Sequence, residues 1–157
     1  MEKSDVQKYA DLMDKIKRRT VVVDAFGRRS ASTTFVPTNI ESVYLQLRKI
    51  LELIAMGSLV ANKAEYSKVY SEFSKCWNAS YLLRDIERIN PEFYPQPIIE
   101  KPCQELGAKV KWEKKTDGFL TKNEFLKLYE KCGKIMHAAN PYGNLCKSSF
   151  VFERLGW

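Results

Sequence analysis

A mainly α fold, an antiparallel helical bundle with a short β-ribbon or irregular insert, is predicted by three observations. Apolar residues recur at three- and four-residue steps over long stretches. Two Thr-x-x-Glu signatures mark helix starts. One interval rich in proline and lysine interrupts the pattern. The 157 residues are a single-domain length. They divide into an N-terminal helix and extended arm, 1–36, and a helical bundle, 37–157, with the insert at about 91–119.

Residues 1–19 place Val6, Tyr9, Leu12, Met13 and Ile16 at helical spacing, which predicts the first helix. The next stretch, "TVVVDAFGRRSASTTFV", is β-branched and small, with Gly27 as a break, and reads as an extended arm or hairpin. Thr38 and Glu41 form the first capping-box signature, so the second helix is expected from Thr38 to Asn62. It carries Ile40, Val43, Tyr44, Leu47, Ile50, Leu51 and Ile54 on one stripe, and the small residues of "AMGSLVAN" permit close approach by another helix. A long helix is predicted next, from Ala64 to Asn90, stopped by Pro91 and antiparallel to its predecessor. On that reading the Asn78-Ala79-Ser80 sequon lies mid-helix and is accidental.

The insert opens with "PEFYPQPIIEKP", whose four prolines exclude a helix. "AKVKWEKKTDGFL" then alternates Val110 and Trp112 with lysines and has Asp117-Gly118 as a turn, which predicts a short exposed β-ribbon. Thr121-x-x-Glu124 is the second capping box and opens a helix bearing Phe125, Leu126, Leu128, Tyr129, Cys132, Ile135 and Met136, ended by Asn140-Pro141. The apolar tail "SSFVFERLGW" reads as a further helix start or a docking segment.

Composition narrows the function classes. No run of about 18 apolar residues exists to cross a membrane, and the charged N-terminus lacks the apolar centre of a secretory signal, so a cytoplasmic protein is expected. Cys76, Cys103, Cys132 and Cys146 are widely spaced, and one histidine is too few to complete a paired zinc motif; neither a metal nor another cofactor is expected. The net charge of +7 favours phosphate-bearing partners, RNA among them, because each neutralised phosphate releases counterions.

His137, the only histidine, is the one side chain whose ordinary pKa suits general acid–base work near neutrality. Placed on the helix, it has Lys134 three residues back as a cation for phosphate, and Gly133 four back as bare backbone that a ligand could approach. A structural role as the helix-end cap is the alternative. Arg48 and Glu52, four residues apart, suit a simple bridge between helix turns; were both to face His137, Arg48 would serve as a second holder of phosphate with Glu52 as its orienter. In the insert, Trp112 among Lys109, Lys111, Lys114 and Lys115 could stack a base, or cover the edge of the core. No nucleophile elbow and no glycine-rich phosphate loop is present.

A helical hairpin followed by a histidine near the end of a later helix resembles the HEPN superfamily. That resemblance implies a four- or five-helix bundle, usually dimeric, of toxin–antitoxin or phage-defence systems, and in many members a metal-independent ribonuclease. The family's window is an arginine, a polar residue, three variable residues and a histidine; here it reads Cys132-Gly133-Lys134-Ile135-Met136-His137. Only the histidine carries over. A neutral cysteine cannot hold a scissile phosphate, so Lys131 or Lys134 would have to do so, and Lys134 is the better placed because Lys131 lies about 120° from His137 around the helix. The resemblance therefore implies an endoribonuclease with His137 as general acid or base. The alternative is a catalytically inactive module that dimerises or docks on a larger partner.

Overall fold

The computed structural model describes residues 3–69, 78–102 and 109–138. Its described part is mainly helical, with one small antiparallel sheet: α1 (Lys3–Gly27), α2 (Val36–Ala61), α3 (Lys63–Tyr66), α4 (Ala79–Ile89), β1 (Ile98–Pro102), β2 (Val110–Lys114) and α5 (Lys122–Ile135). None of the described helices is long and apolar enough to cross a membrane.

The first helix runs well past residue 19, against the expectation of an extended arm from residue 20. Its half-buried stripe continues through Ile16, Val23 and Phe26 at helical steps, so packing against α2 overrides the β-branched composition. Arg19 donates to Gln46 of α2 at 2.6 Å, within this long packed pair. The helix closes on a Schellman motif, with Ser30 N–H bonded to the Ala25 carbonyl at 2.9 Å and Arg29 N–H to that of Phe26 at 3.0 Å. Arg29 takes the left-handed position there, at φ +56°.

The second helix starts two residues before the expected cap. Phe35 is its extended N-cap, and Pro37 lies within the first turn, where its missing N–H costs nothing. Thr38 donates its hydroxyl back to the Phe35 carbonyl at 2.8 Å, and the Thr38–Glu41 capping box does not form. The small-residue prediction is met at Gly57: a Cβ there would stand 3.3 Å from Met13 Cε and 3.5 Å from Tyr9 Cε2.

The long helix expected over 64–90 is interrupted. α3 is one turn, residues 67–69 form a turn, and Asn78 is extended at φ −96°, ψ 114°. Asn78 caps α4, its side chain accepting from the N–H groups of Ser80 and Tyr81. It is thus an N-cap, not a mid-helix residue. Asn90 leaves the helix just before Pro91, as predicted, and donates to the Asn62 side chain at 2.8 Å, tying the ends of α2 and α4 together.

The second capping box forms in full: the Thr121 hydroxyl accepts from Glu124 N–H, and Glu124 accepts from Thr121 N–H at 2.9 Å. α5 ends at Ile135, earlier than Asn140-Pro141, which lie outside the described residues with the apolar tail, Cys76, Cys103 and Cys146.

The core lies where α2 is flanked by α4 and α5. Tyr44, Leu51 and Ala55 of α2 form one buried cluster with Leu82, Leu83 and Ile86 of α4 and Phe125, Tyr129 and Cys132 of α5. α1 lies along α2 and buries a single side chain, Asp5. Both Asp5 oxygens accept from Lys63 Nζ at 3.1 Å, with Lys8 at 3.4 Å. The hydrogen bond from Lys63 holds the Asp5 carboxyl below its ordinary value of 3.8 against the opposing push of burial. A lowered folded-state pKa stabilises the protein above the ordinary value, and that stabilisation drains away as pH falls through the lowered one. Asp5→Asn is therefore expected to flatten the decline in thermal midpoint below about pH 4 relative to wild type. Melting curves from pH 6 down to pH 2 check this, and parallel slopes would remove Asp5 from the account.

Candidate functional site

The last two turns of α5 are placed by their apolar side. Phe125, Tyr129 and Cys132, at helical steps of four and three, face α2 and are buried. Tyr129 stacks on Phe125 with centroids 6.2 Å apart. Across from them, α2 presents Arg48. Its Nη2 donates to the Tyr129 hydroxyl at 3.0 Å, its Nε pairs with Glu52 at 3.2 Å, and its Cζ stands 4.4 Å from the Tyr129 ring centroid. The Arg48 side chain is one-quarter exposed, so the guanidinium is half-sheltered.

Gly133 is what lets Arg48 come so close: a Cβ there would lie 3.1 Å from Nη1, closer than a carbon and a nitrogen pack without one of them yielding. The bare backbone that could have received a ligand is thus filled from within. Cys132, beside it, is fully buried; burial pushes its thiol up, while the nearby charge of Arg48 pulls the other way.

The other predicted residues are distributed less tightly. Lys134 reaches back to Glu130 at 2.6 Å on the exposed side of α5. Lys131 lies over the Tyr44 ring, 5.6 Å from its centroid. His137 is two residues past the end of the helix and exposed, so the helical offsets relating it to Lys134 and Gly133 do not hold. Among the described residues its ring makes no hydrogen bond. The structure joins Arg48 to the window Cys132–His137 through Gly133; it records no contact of Arg48 with His137.

Of the five insert residues, Lys111, Trp112 and Lys114 lie in the ribbon but not on one face, and Lys109 and Lys115 flank it. β2 pairs with β1, upstream, and not across Asp117-Gly118, which turns the chain toward α5 with Gly118 at φ +62°. The register sets Trp112 opposite Glu100, Lys114 opposite Ile98 and Val110 opposite Pro102 on one face. Lys111 with Lys101, and Glu113 with Ile99, occupy the other. Glu113 pairs with Lys101 at 2.5 Å and Lys111 at 4.0 Å. Those cations hold its carboxyl below the usual range. Lys115 donates to the Gly118 carbonyl at 2.9 Å, and Lys109 is exposed just before β2.

Sequence reasoning missed a groove of about 340 Å³ between the α1–α2 crossing and the stem of the insert. Tyr9, Met13, Gly57, Phe93, Tyr94 and Phe119 are among its walls; none of the predicted site residues is. Gly57 and the spaced prolines of the stem were the available signals. The chain matches no protein-family model, no curated protein and no solved structure.

Proposed function

We propose that this is a HEPN-like protein of RNA metabolism or phage defence, a metal-independent endoribonuclease in which α2 supplies the arginine that the α5 window lacks. The observation that carries the reading is the Arg48 guanidinium seated on Gly133, next to the position where the family's arginine would arise. Glu52 and Tyr129 orient the fork through Nε and Nη2, and Nη1 is left nearest the window. In the reaction, His137 moves the proton between attacking or leaving oxygen and solvent, Arg48 holds the scissile phosphate as its charge grows, and Lys134 adds a point charge. RNA cleavage is measured with EDTA present. Wild type is expected to cut, His137→Ala to lose about a hundredfold or more of the rate, and Arg48→Ala a comparable factor. Cleavage that survives both substitutions would refute the assignment.

A second reading is favoured by a specific observation: the cations are already engaged, Arg48 by Glu52 and Lys134 by Glu130. On that reading the bundle is a catalytically inactive interaction module. A wild-type protein that binds RNA or a protein partner without cutting would select it.

A further inference from the structure

The ribbon stands apart from the helices. Both strands are exposed along their length, with only Glu113 partly covered, and neither packs extensively on a helix. A two-stranded ribbon with both faces in water is marginal, so a contact that covers one face would contribute directly to its persistence. The two faces differ in kind. On the Lys101, Lys111 and Glu113 face the two lysines share the one carboxylate, Lys101 at 2.5 Å and Lys111 at 4.0 Å. On the other face Trp112, 65% exposed, lies with Ile98, Pro102 and Val110, and the only charges are Glu100 and Lys114. These two make no ion pair among the described residues.

We propose that the Trp112 face of the ribbon is the contact surface between two copies of this chain. A two-fold contact brings the same patch to itself, so that whatever residue meets a second one is met by it in return. A surface suited to that has an apolar centre flanked by opposite charges, which pair crosswise when one copy is turned onto the other. On the Trp112 face the indole is that apolar centre, with Glu100 beside it in the middle pair and Lys114 in the next pair along, so a two-fold axis near Trp112 brings Glu100 of each copy to Lys114 of the other. The same layout argues against RNA as the occupant. One lysine and one glutamate leave the face without net charge, and a nucleic-acid platform needs an excess of cations beside its aromatic. The inference does not depend on the ribonuclease reading, because it involves neither Arg48 nor His137.

Sedimentation of the full chain tests it. Wild type is expected to dimerise reversibly with rising concentration. Trp112→Glu is expected to weaken the dimer roughly tenfold or more, as a charge replaces the apolar centre. Glu100→Lys alone and Lys114→Glu alone each set like charges against each other across the contact, and each is expected to weaken it. The double variant with both reversals restores the crosswise pairing and is expected to return to within about threefold of wild type. Circular dichroism verifies that each variant keeps its helices. A wild-type chain that stays monomeric, a dimer indifferent to Trp112→Glu, or a double reversal no stronger than the single ones would each overturn the proposal. So would a monomer whose RNA affinity falls with Trp112→Glu, since the face would then belong to nucleic acid.

Discussion

Phe125→Ala is expected to lower the unfolding free energy by about 3–5 kcal/mol. The ring is fully buried, stacked on Tyr129 at 6.2 Å and met edge-on by Tyr94 at 6.4 Å. Its loss opens a cavity in the buried cluster shared by α2, α4 and α5, and neither ring neighbour is free to fill it. Tyr129 is tied through its hydroxyl to Arg48, and Tyr94 donates its own to the Leu120 carbonyl at 3.0 Å. Burial pushes the Tyr94 phenol up to about 12, so this donor stays protonated at any working pH. Since single domains are stable by only about 5–15 kcal/mol, a loss of this size brings the protein close to unfolding at ambient temperature. Urea titration followed by circular dichroism measures it. A loss under about 1.5 kcal/mol, the range of a well-tolerated swap, would mean that α5 is not seated as described.

An arginine at position 132, where the window of the proposed reading would have it, is expected to unfold the protein, not to activate it. Cys132→Arg puts a long cation where the structure leaves no exposed surface, and where the charges of Arg48 and Lys131 already act. An unpaired buried charge costs at least about 4 kcal/mol, and a like charge beside it adds to that. The expected readout is insoluble or molten protein with no cleavage. Cys132→Ala, which removes volume without adding charge, should stay folded with a loss of about 1–2 kcal/mol. A folded Cys132→Arg protein that cuts RNA faster than wild type would show that α5 can turn its 132 position outward, and would remove Arg48 from the proposed reaction.

What was legible in the sequence was local. The Thr121–Glu124 box worked because nothing nearby competed for its groups. The same pattern at Thr38 failed because Pro37 fits the first helical turn and Thr38 turns back to the Phe35 carbonyl. Composition misled at residues 20–27, where β-branched residues cost a few tenths of a kcal/mol each in a helix while the apolar stripe ran on to Phe26. Helical periodicity places Asn78 in a helix interior, although asparagine is among the strongest N-caps and serves as one here. The mainly α class with its small β insert came through because it rests on periodicity summed over many residues. The candidate site did not, because its defining contact joins Arg48 to a tyrosine 81 residues away. The sequence named Arg48 and Gly133 separately but held no sign that one would fill the space left by the other. The ribbon's division into a paired face and an unpaired one likewise depends on a register that spans the insert.

The single buried residue of α1 has a kinetic consequence. A helix held to its neighbour through a half-buried stripe and a single fully buried carboxylate keeps much of its surface in water, so it is expected to open below the free energy of global unfolding. Its backbone amides are expected to exchange with deuterium by a partial opening that leaves α2, α4 and α5 closed. Amides around Leu51, Leu82 and Phe125 should exchange only through global unfolding. Opening of α1 would also strip one wall, Tyr9 and Met13, from the groove at Gly57, so that the shape of this cavity fluctuates on the timescale of a helix lifting and resettling.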